Sequence, residues 1–255
     1  MTAPGGPPGC ERVPCSGIVG ADQRRRSPPV GSEAPTRGAT TLDFVDFVWD
    51  RRDDVLQRGI EHIGVVAVSV ALSAVLGVLL GVLSYRSPTA RTAAIAVTGA
   101  FLTIPSFALF VLLLGIVGLG TTPVVIALTM YGLLPVVRNT VTGLLSVDPA
   151  VVESAQGMGL SRWQRLRRIE LPLAWPIVLT GIRVSTVILV GIAAIGAVVN
   201  GPGYGNLIFT GLARVGAPVA VDLVLTGIVG VVVVAVLFDA VFTLLGKLTT
   251  SKGLR

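Results

Sequence analysis

Five apolar runs, at roughly 60–84, 92–117, 122–146, 174–199 and 219–246, limit what this 255-residue chain can fold into. Each has the ~20 residues that a helix needs to cross a hydrocarbon core about 30 Å thick. Inside lipid a segment must satisfy its own backbone N–H and C=O groups, so these runs are helices and not open strands. The chain is 52% hydrophobic and only 13% charged, whereas about 25% of an average soluble domain is charged. An all-α, polytopic integral membrane protein with about five transmembrane helices is therefore predicted. Pro105 and Pro135 fall within the second and third runs. They should kink those helices or mark where they line an aqueous path. In the first run Gly77 and Gly81 lie one turn apart, a spacing that permits close approach of another helix.

The formal net charge of +6 does not point to nucleic acid, because the basic residues sit beside apolar runs, where membrane orientation places them. In a five-span arrangement one side holds Arg86, Arg91, Arg138, Arg162, Arg165, Arg167, Arg168, Arg183, Lys247, Lys252 and Arg255. The other side, the N-terminal region aside, holds Arg214. The positive-inside rule then puts the 147–173 loop and the C-terminal tail 247–255 in the cytoplasm. Arg51, Arg52 and Arg58 argue the other way and are outnumbered.

Residues 1–41 are rich in Pro, Gly, Ser and Thr, a composition that predicts a disordered tail. They hold both cysteines, Cys10 and Cys15, too few for a structural zinc site. Residues 42–58 alternate acids and arginines with Phe44, Phe47, Val48 and Trp49. That pattern fits an amphipathic lead-in helix on the membrane surface, or an ordinary solvated approach to the first span. His62 is the only histidine. No metal cluster and no Ser-His-Asp or Cys-His pairing is expected from such material, and neither is an enzyme.

Between the third and fourth runs the chain turns polar and Arg-rich. Asp148 can cap a short helix, with Pro149 at its first position, where a missing N–H costs nothing. Gly157 and Gly159 tolerate the backbone of a helix stop. Ser161 and Gln164 have the spacing of a capping box for a second helix. Pro172 restricts Leu171 and is expected to end that helix. Two short helices meeting at a glycine would make a rigid elbow. Leu160 and Trp163 are apolar where a loop serving only orientation would be polar, and Arg165 is expected to be exposed surface.

The same loop reads Glu153-Ser154-Ala155, then Gly159, then Ile169-Glu170-Leu171-Pro172. It resembles the EAA loop of permease subunits in binding-protein-dependent ABC importers, whose pattern is E-A-A-x3-G-x9-I-x-L-P; Ser154 is the one change. Residues from about 60 to 246 are further similar to permeases of osmoprotectant importers. Thr103 to Phe110, Tyr131 to Thr140, Gly157-Met158-Gly159, Glu170 to Ala174 and Gly181-Ile182-Arg183 carry that likeness. Residues 1–40 have no counterpart in it, and Asn200 to Gly205 departs from the usual glycine-rich form.

The resemblance implies an ABC type-1 importer permease domain over 59–246, with an ATPase-coupling loop at 148–172. Glu153, Ser154, Ala155, Gly159 and Leu160 would then contact a groove on an ATPase subunit. Ile169, Leu171 and Pro172 would tie the second helix to the membrane. It further implies a second permease subunit, identical or homologous, and an extracytoplasmic binding protein. ATP would sit on the partner, with no cofactor on this chain. The expected activity is import of glycine betaine, carnitine or choline across the cell membrane.

Energetics leads to the same division of labour. Concentrating a solute a thousandfold costs about 4 kcal/mol, and the sequence has no Gly-x4-Gly-Lys-[Ser/Thr] phosphate loop. Only 5% of residues are aromatic, little material for the cage that usually holds a quaternary ammonium. Arg183, about two turns into the fourth run, is expected to snorkel to the cytoplasmic headgroups in preference to lining a path. Asp239 should face a partner helix or cavity. Competing readings are the same architecture carrying an amino-acid-like solute, an ion-coupled secondary carrier, and a membrane scaffold. A secondary carrier would want paired ionisable groups at mid-membrane and repeated halves.

Overall fold

The computed structural model describes residues 41–249. The tail expected at 1–41, with Cys10 and Cys15, falls outside them except for Thr41, as do Lys252 and Arg255. Among the described residues every regular element is helical.

The lead-in divides at Arg51. α1 (Thr41–Asp50) is a separate helix that packs Phe47 on the core and exposes Val45 and Trp49. Arg51 and Arg52 lie over the Phe47 and Trp49 rings at 4.8 and 5.5 Å. Residues 52–58 are instead the opening turns of α2 (Arg52–Ser84), continuous with the first span.

The second apolar run is broken. Ser87 caps α3 (Pro88–Thr103) through Ala90 N–H, with Pro88 in the first turn. Ile104 precedes a proline and is extended, with ψ 125°, the conformation that proline imposes on its predecessor. α4 (Ser106–Val117) then leaves at 93° to α3. The Tyr131 hydroxyl donates to the carbonyl of Ile104 at 2.8 Å, giving a partner to a group at the break. Pro105 therefore does more than kink its helix. α3 begins beside the end of α2, and the chain after α4 reaches the far end of the bundle, where Gly120 N–H donates to Val199 O at 2.8 Å. Taken together, the two arms are long and apolar enough for one span. With four unbroken helices long and apolar enough to cross a bilayer, the total is up to five.

α5 (Thr121–Leu145) is the most buried of these spans and continues as one helix through Pro135. The close approach expected at Gly77 and Gly81 is realised against it. A Cβ on Gly77 would stand 2.7 Å from Val136 Cγ1, and one on Gly81 would stand 2.6 Å from Thr140 Cβ. On α5's other side is α8 (Leu171–Ile195), whose Ser185 hydroxyl donates to Gly132 O at 3.2 Å. Val66, Phe110, Val124, Leu128, Val137 and Leu189 fill the core between these helices.

After a single turn of 3-10 helix (Gly196–Val199), α9 (Gly205–Leu212) leads to α10 (Val219–Thr249). α10 is the most exposed span, and valines and leucines point outward along it, as a lipid-facing helix requires. At that end Tyr204 wedges between α2 and α10. A Cβ on Gly59 or on Gly230 would come 2.6 Å from its ring or hydroxyl atoms. His62 is wholly buried beside it, with Nε2 3.2 Å from Val190 O.

Candidate coupling loop and its root

The loop between α5 and α8 is built from local caps, as its spacing predicts. Asp148 accepts from Ala150 N–H at 2.8 Å and starts α6 (Pro149–Gly157), with Pro149 in the first turn. α6 stops at Met158, and Gly159 follows with φ +79°. Nothing lies within 4 Å of where a Cβ on Gly159 would be. Its glycine is therefore required by the backbone and not by crowding. Leu160 N–H returns to Ala155 O at 3.2 Å and closes the turn. Both bonds of the capping box are present: Gln164 N–H to Ser161 Oγ at 3.3 Å, and Ser161 N–H to Gln164 Oε1 at 2.9 Å.

The tip is largely solvent-facing. Glu153, Ser154 and Gly159 are exposed, Leu160 is half-buried, and Ala155 is buried beneath them. Met158 and Trp163 stand out at 71% and 62% exposure, and Arg167 lies over the Trp163 ring at 5.9 Å. Bulky apolar groups are thus held in the open on a capped scaffold.

The second helix does not finish at Pro172. α7 (Arg162–Arg165) passes through a π-helical turn (Leu166–Glu170) straight into α8, so one helical rod runs from the loop into the membrane. In that turn Leu171 N–H bonds back to Leu166 O, five residues earlier. The shift out of the usual four-residue register falls just before Pro172, which has no N–H to give. The proline is thus absorbed at the head of α8. Ile169 and Leu171 are half-buried at this junction, Pro172 is exposed, and Ala174 is fully buried.

The root holds a residue that the motif leaves as a variable position. Glu170 is 3% exposed. Its Oε1 accepts from Arg165 Nε at 2.6 Å, and its Oε2 accepts from the Tyr85 hydroxyl at 2.6 Å. Arg86 donates to the Tyr85 hydroxyl at 2.6 Å and approaches Glu170 Oε1 at 3.7 Å. Arg165 also reaches Gln156 Oε1 at 3.3 Å. It is a turned-in anchor and not the plain surface residue expected from the sequence. Burial, with the neighbouring Glu170 carboxylate, raises the Tyr85 hydroxyl above its ordinary pKa, so it stays a donor. The only signal for this site in the sequence is a lone acid among Arg167, Arg168 and apolar neighbours. Tyr85 lies 85 residues away and has no marker at all.

Arg183 and Asp239 form a second ionic site, between α8 and α10. Arg183 donates to both carboxylate oxygens of Asp239, at 2.6 and 2.7 Å. Asp239 thus faces a helix of its own chain, as expected in outline. Arg183 is held in a bidentate pair that the snorkelling expectation does not include. Together they offset charges that would be costly singly in lipid. Arg183 lines a cleft of about 260 Å³ with Pro176, Leu179, Phe242 and Lys247. Pro105 and Pro135 are far apart in role: one ends a helix, and the other lies within α5, where its carbonyl accepts from Asn139 at 2.8 Å. Among the described residues no group of acids, histidines and cysteines is arranged to hold a metal.

Comparison with known proteins places this geometry among relatives. Residues 73–251 match the family model described as binding-protein-dependent transport system inner membrane component. The osmoprotectant import permease protein OsmW of Salmonella typhimurium is 34% identical, over 84% of this chain and 100% of its own length. The glycine betaine/carnitine/choline transport system permease protein OpuCB of Bacillus subtilis is 33% identical, over 83% of this chain and 96% of its own. Among solved structures, an inward-facing form of the MetNI methionine ABC transporter superposes with a TM-score of 0.68. It covers 77% of this chain and 96% of the matched one, at 23% identity, and shows the fold.

Proposed function

The chain belongs to the family of inner membrane components of binding-protein-dependent transport systems, and we propose that its solute is an osmoprotectant of the glycine betaine, carnitine or choline type. It is a multi-pass permease of the ABC importer kind. The observation that carries the solute class is the agreement among relatives: permeases for osmoprotectants, for carnitine and for choline align at 32–40% identity. The paucity of aromatic residues assigns high-affinity capture to a separate extracytoplasmic binding protein, leaving this subunit a low-affinity gated path.

The remaining parts of the reading rest on the loop. Its capped, exposed tip suits docking into a groove of an ATPase subunit, with Glu153, Ser154, Gly159 and Leu160 as the contact; Ala155, expected there from the motif, is buried and supports them from beneath. Ile169, Leu171 and Pro172 then form the junction between that contact and the bilayer. ATP binds and is hydrolysed on the ATPase, and this chain pairs with a second permease, identical or homologous. The loop and the C-terminus face the cytoplasm, as the arginine distribution favours. ATP-driven closure of the ATPases moves the loop, and the continuous α7–α8 rod carries that motion into the spans.

Reconstituted vesicles containing the complex test the solute. ATP-dependent uptake of glycine betaine, carnitine or choline is expected, and uptake of amino acids in their place would overturn the assignment. With Cys10 and Cys15 replaced, a cysteine at Ser161 and another at the exposed Val215 test orientation with an impermeant maleimide. Val215 should label from outside in intact cells, and Ser161 only after the cytoplasmic side is opened.

A further inference from the structure

We infer that Glu170 is a positioning residue for energy coupling: it is the joint through which movement of the loop reaches the corner between α2 and α3. The inference rests on the reading of 148–172 as the ATPase-coupling loop. Its basis is an unbroken polar chain. Gln156 on α6 is bonded by Arg165, Arg165 by Glu170, Glu170 by Tyr85, and Tyr85 by Arg86 at the end of α2. Every link is between side chains, and Glu170 is its most buried member. One carboxylate oxygen takes the short bond from Arg165 and the other the short bond from Tyr85, while Arg86 stands 3.7 Å from the first.

Two routes then leave the elbow. One is the helical backbone, which runs from α7 through the π turn into α8. The other is the Glu170 carboxylate, which joins the same turn to α2. A π turn is a place where helical register can shift by one residue, and Glu170 is its last residue. A displacement there moves the carboxylate with it, and charge-assisted bonds this short hold direction as well as distance. At the cytoplasmic end, movement of the π turn is therefore passed to the end of α2 while Glu170 is bonded, and that transfer is lost when it is not.

The test uses the reconstituted complex of permease, ATPase and binding protein. Glu170→Gln keeps the shape and removes the charge; Tyr85→Phe removes only the short hydroxyl bond at the α2 end. Both should insert, retain the ATPase and hydrolyse ATP within about twofold of wild type, while solute transported per ATP falls roughly tenfold. Because the bond lost in Tyr85→Phe is one of those weakened in Glu170→Gln, the double variant should be much less than additive. A readout that needs no solute uses spin labels at Val151 and Thr89, with Cys10 and Cys15 replaced. In wild type ATP should shift both labels, and in Glu170→Gln only the one at Val151.

A wild-type ratio of transport to hydrolysis in both variants, or an unchanged response at Thr89, overturns the inference. So does release of the ATPase by Glu170→Gln, which would make the residue a brace for docking. Should that variant fail to accumulate, Tyr85→Phe decides by the same ratio and the same label. If the ATPase does not associate with the wild-type chain at the loop, the coupling-loop reading itself fails, a result distinct from all of these.

Discussion

The tip and the root of the loop hold their shapes by different means. From Asp148 to Gln164 the bonds are short-range: a cap two residues on, a glycine turn, a reciprocal capping box. From Arg165 to Ala174 they are long-range: a carboxylate bonded across 85 residues, and Ala174 buried against α5. The tip is a preformed surface presented outward. The root is tied into the helix bundle through Tyr85 and Ala174. The coupling role proposed for the loop would need that asymmetry, with a defined face where force arrives and a firm attachment where it is delivered.

The sharpest way to break the comparison is at Gly159. A valine there must adopt φ +79°, at a cost of about 1–3 kcal/mol, and nothing else is crowded. Gly159→Val should keep normal abundance and insertion, while ATP-driven uptake falls roughly tenfold or more, with weaker ATPase binding by co-purification. Transport at the wild-type rate would remove the loop from the coupling role.

Gly143→Leu tests the root. A Cβ on Gly143 would lie 3.0 Å from Ala174 O and 3.2 Å from its Cβ, so added bulk overpacks α5 against α8 by about 1–3 kcal/mol. The expected outcome is opposite in kind: less protein in the membrane by immunoblot, with near-normal uptake per surviving molecule.

Ser161→Ala removes the capping box and costs about 1 kcal/mol of local order. Uptake should fall a few-fold, with abundance unchanged. Arg168→Gln is the smallest change. Arg168 is exposed and makes none of the contacts of Arg165, so transport assays should not distinguish it from wild type, whereas Arg165→Gln should impair uptake clearly.

What was legible in the sequence follows the same division. The caps at Asp148 and Ser161, the stop at Gly159 and the helix contact at Gly77 and Gly81 could all be read there. Each depends on residues a few positions apart or on the absence of a side chain. The end of the second helix at Pro172 was misread, because a proline after a π turn lacks only a bond that the turn has already given up. The broken span at Pro105 was underestimated; the Tyr131 hydroxyl that serves the exposed carbonyl comes from another helix. Glu170 and the Arg183–Asp239 pair were missed for one reason. Tyr85 lies 85 residues from Glu170 and Arg183 lies 56 from Asp239; no spacing rule covers such partners, and only the packing of α2, α8 and α10 brings them together.

Gly159 has a further consequence, concerning chirality. Since the space around its missing side chain is open, the site does not exclude volume; it excludes one mirror-image form of every other amino acid. A D-alanine placed there by semisynthesis favours the very φ that the backbone adopts, and it also restricts the unfolded chain as glycine does not. The D-alanine protein should therefore couple at least as well as the natural one, and the L-alanine protein worse, although the two have the same composition.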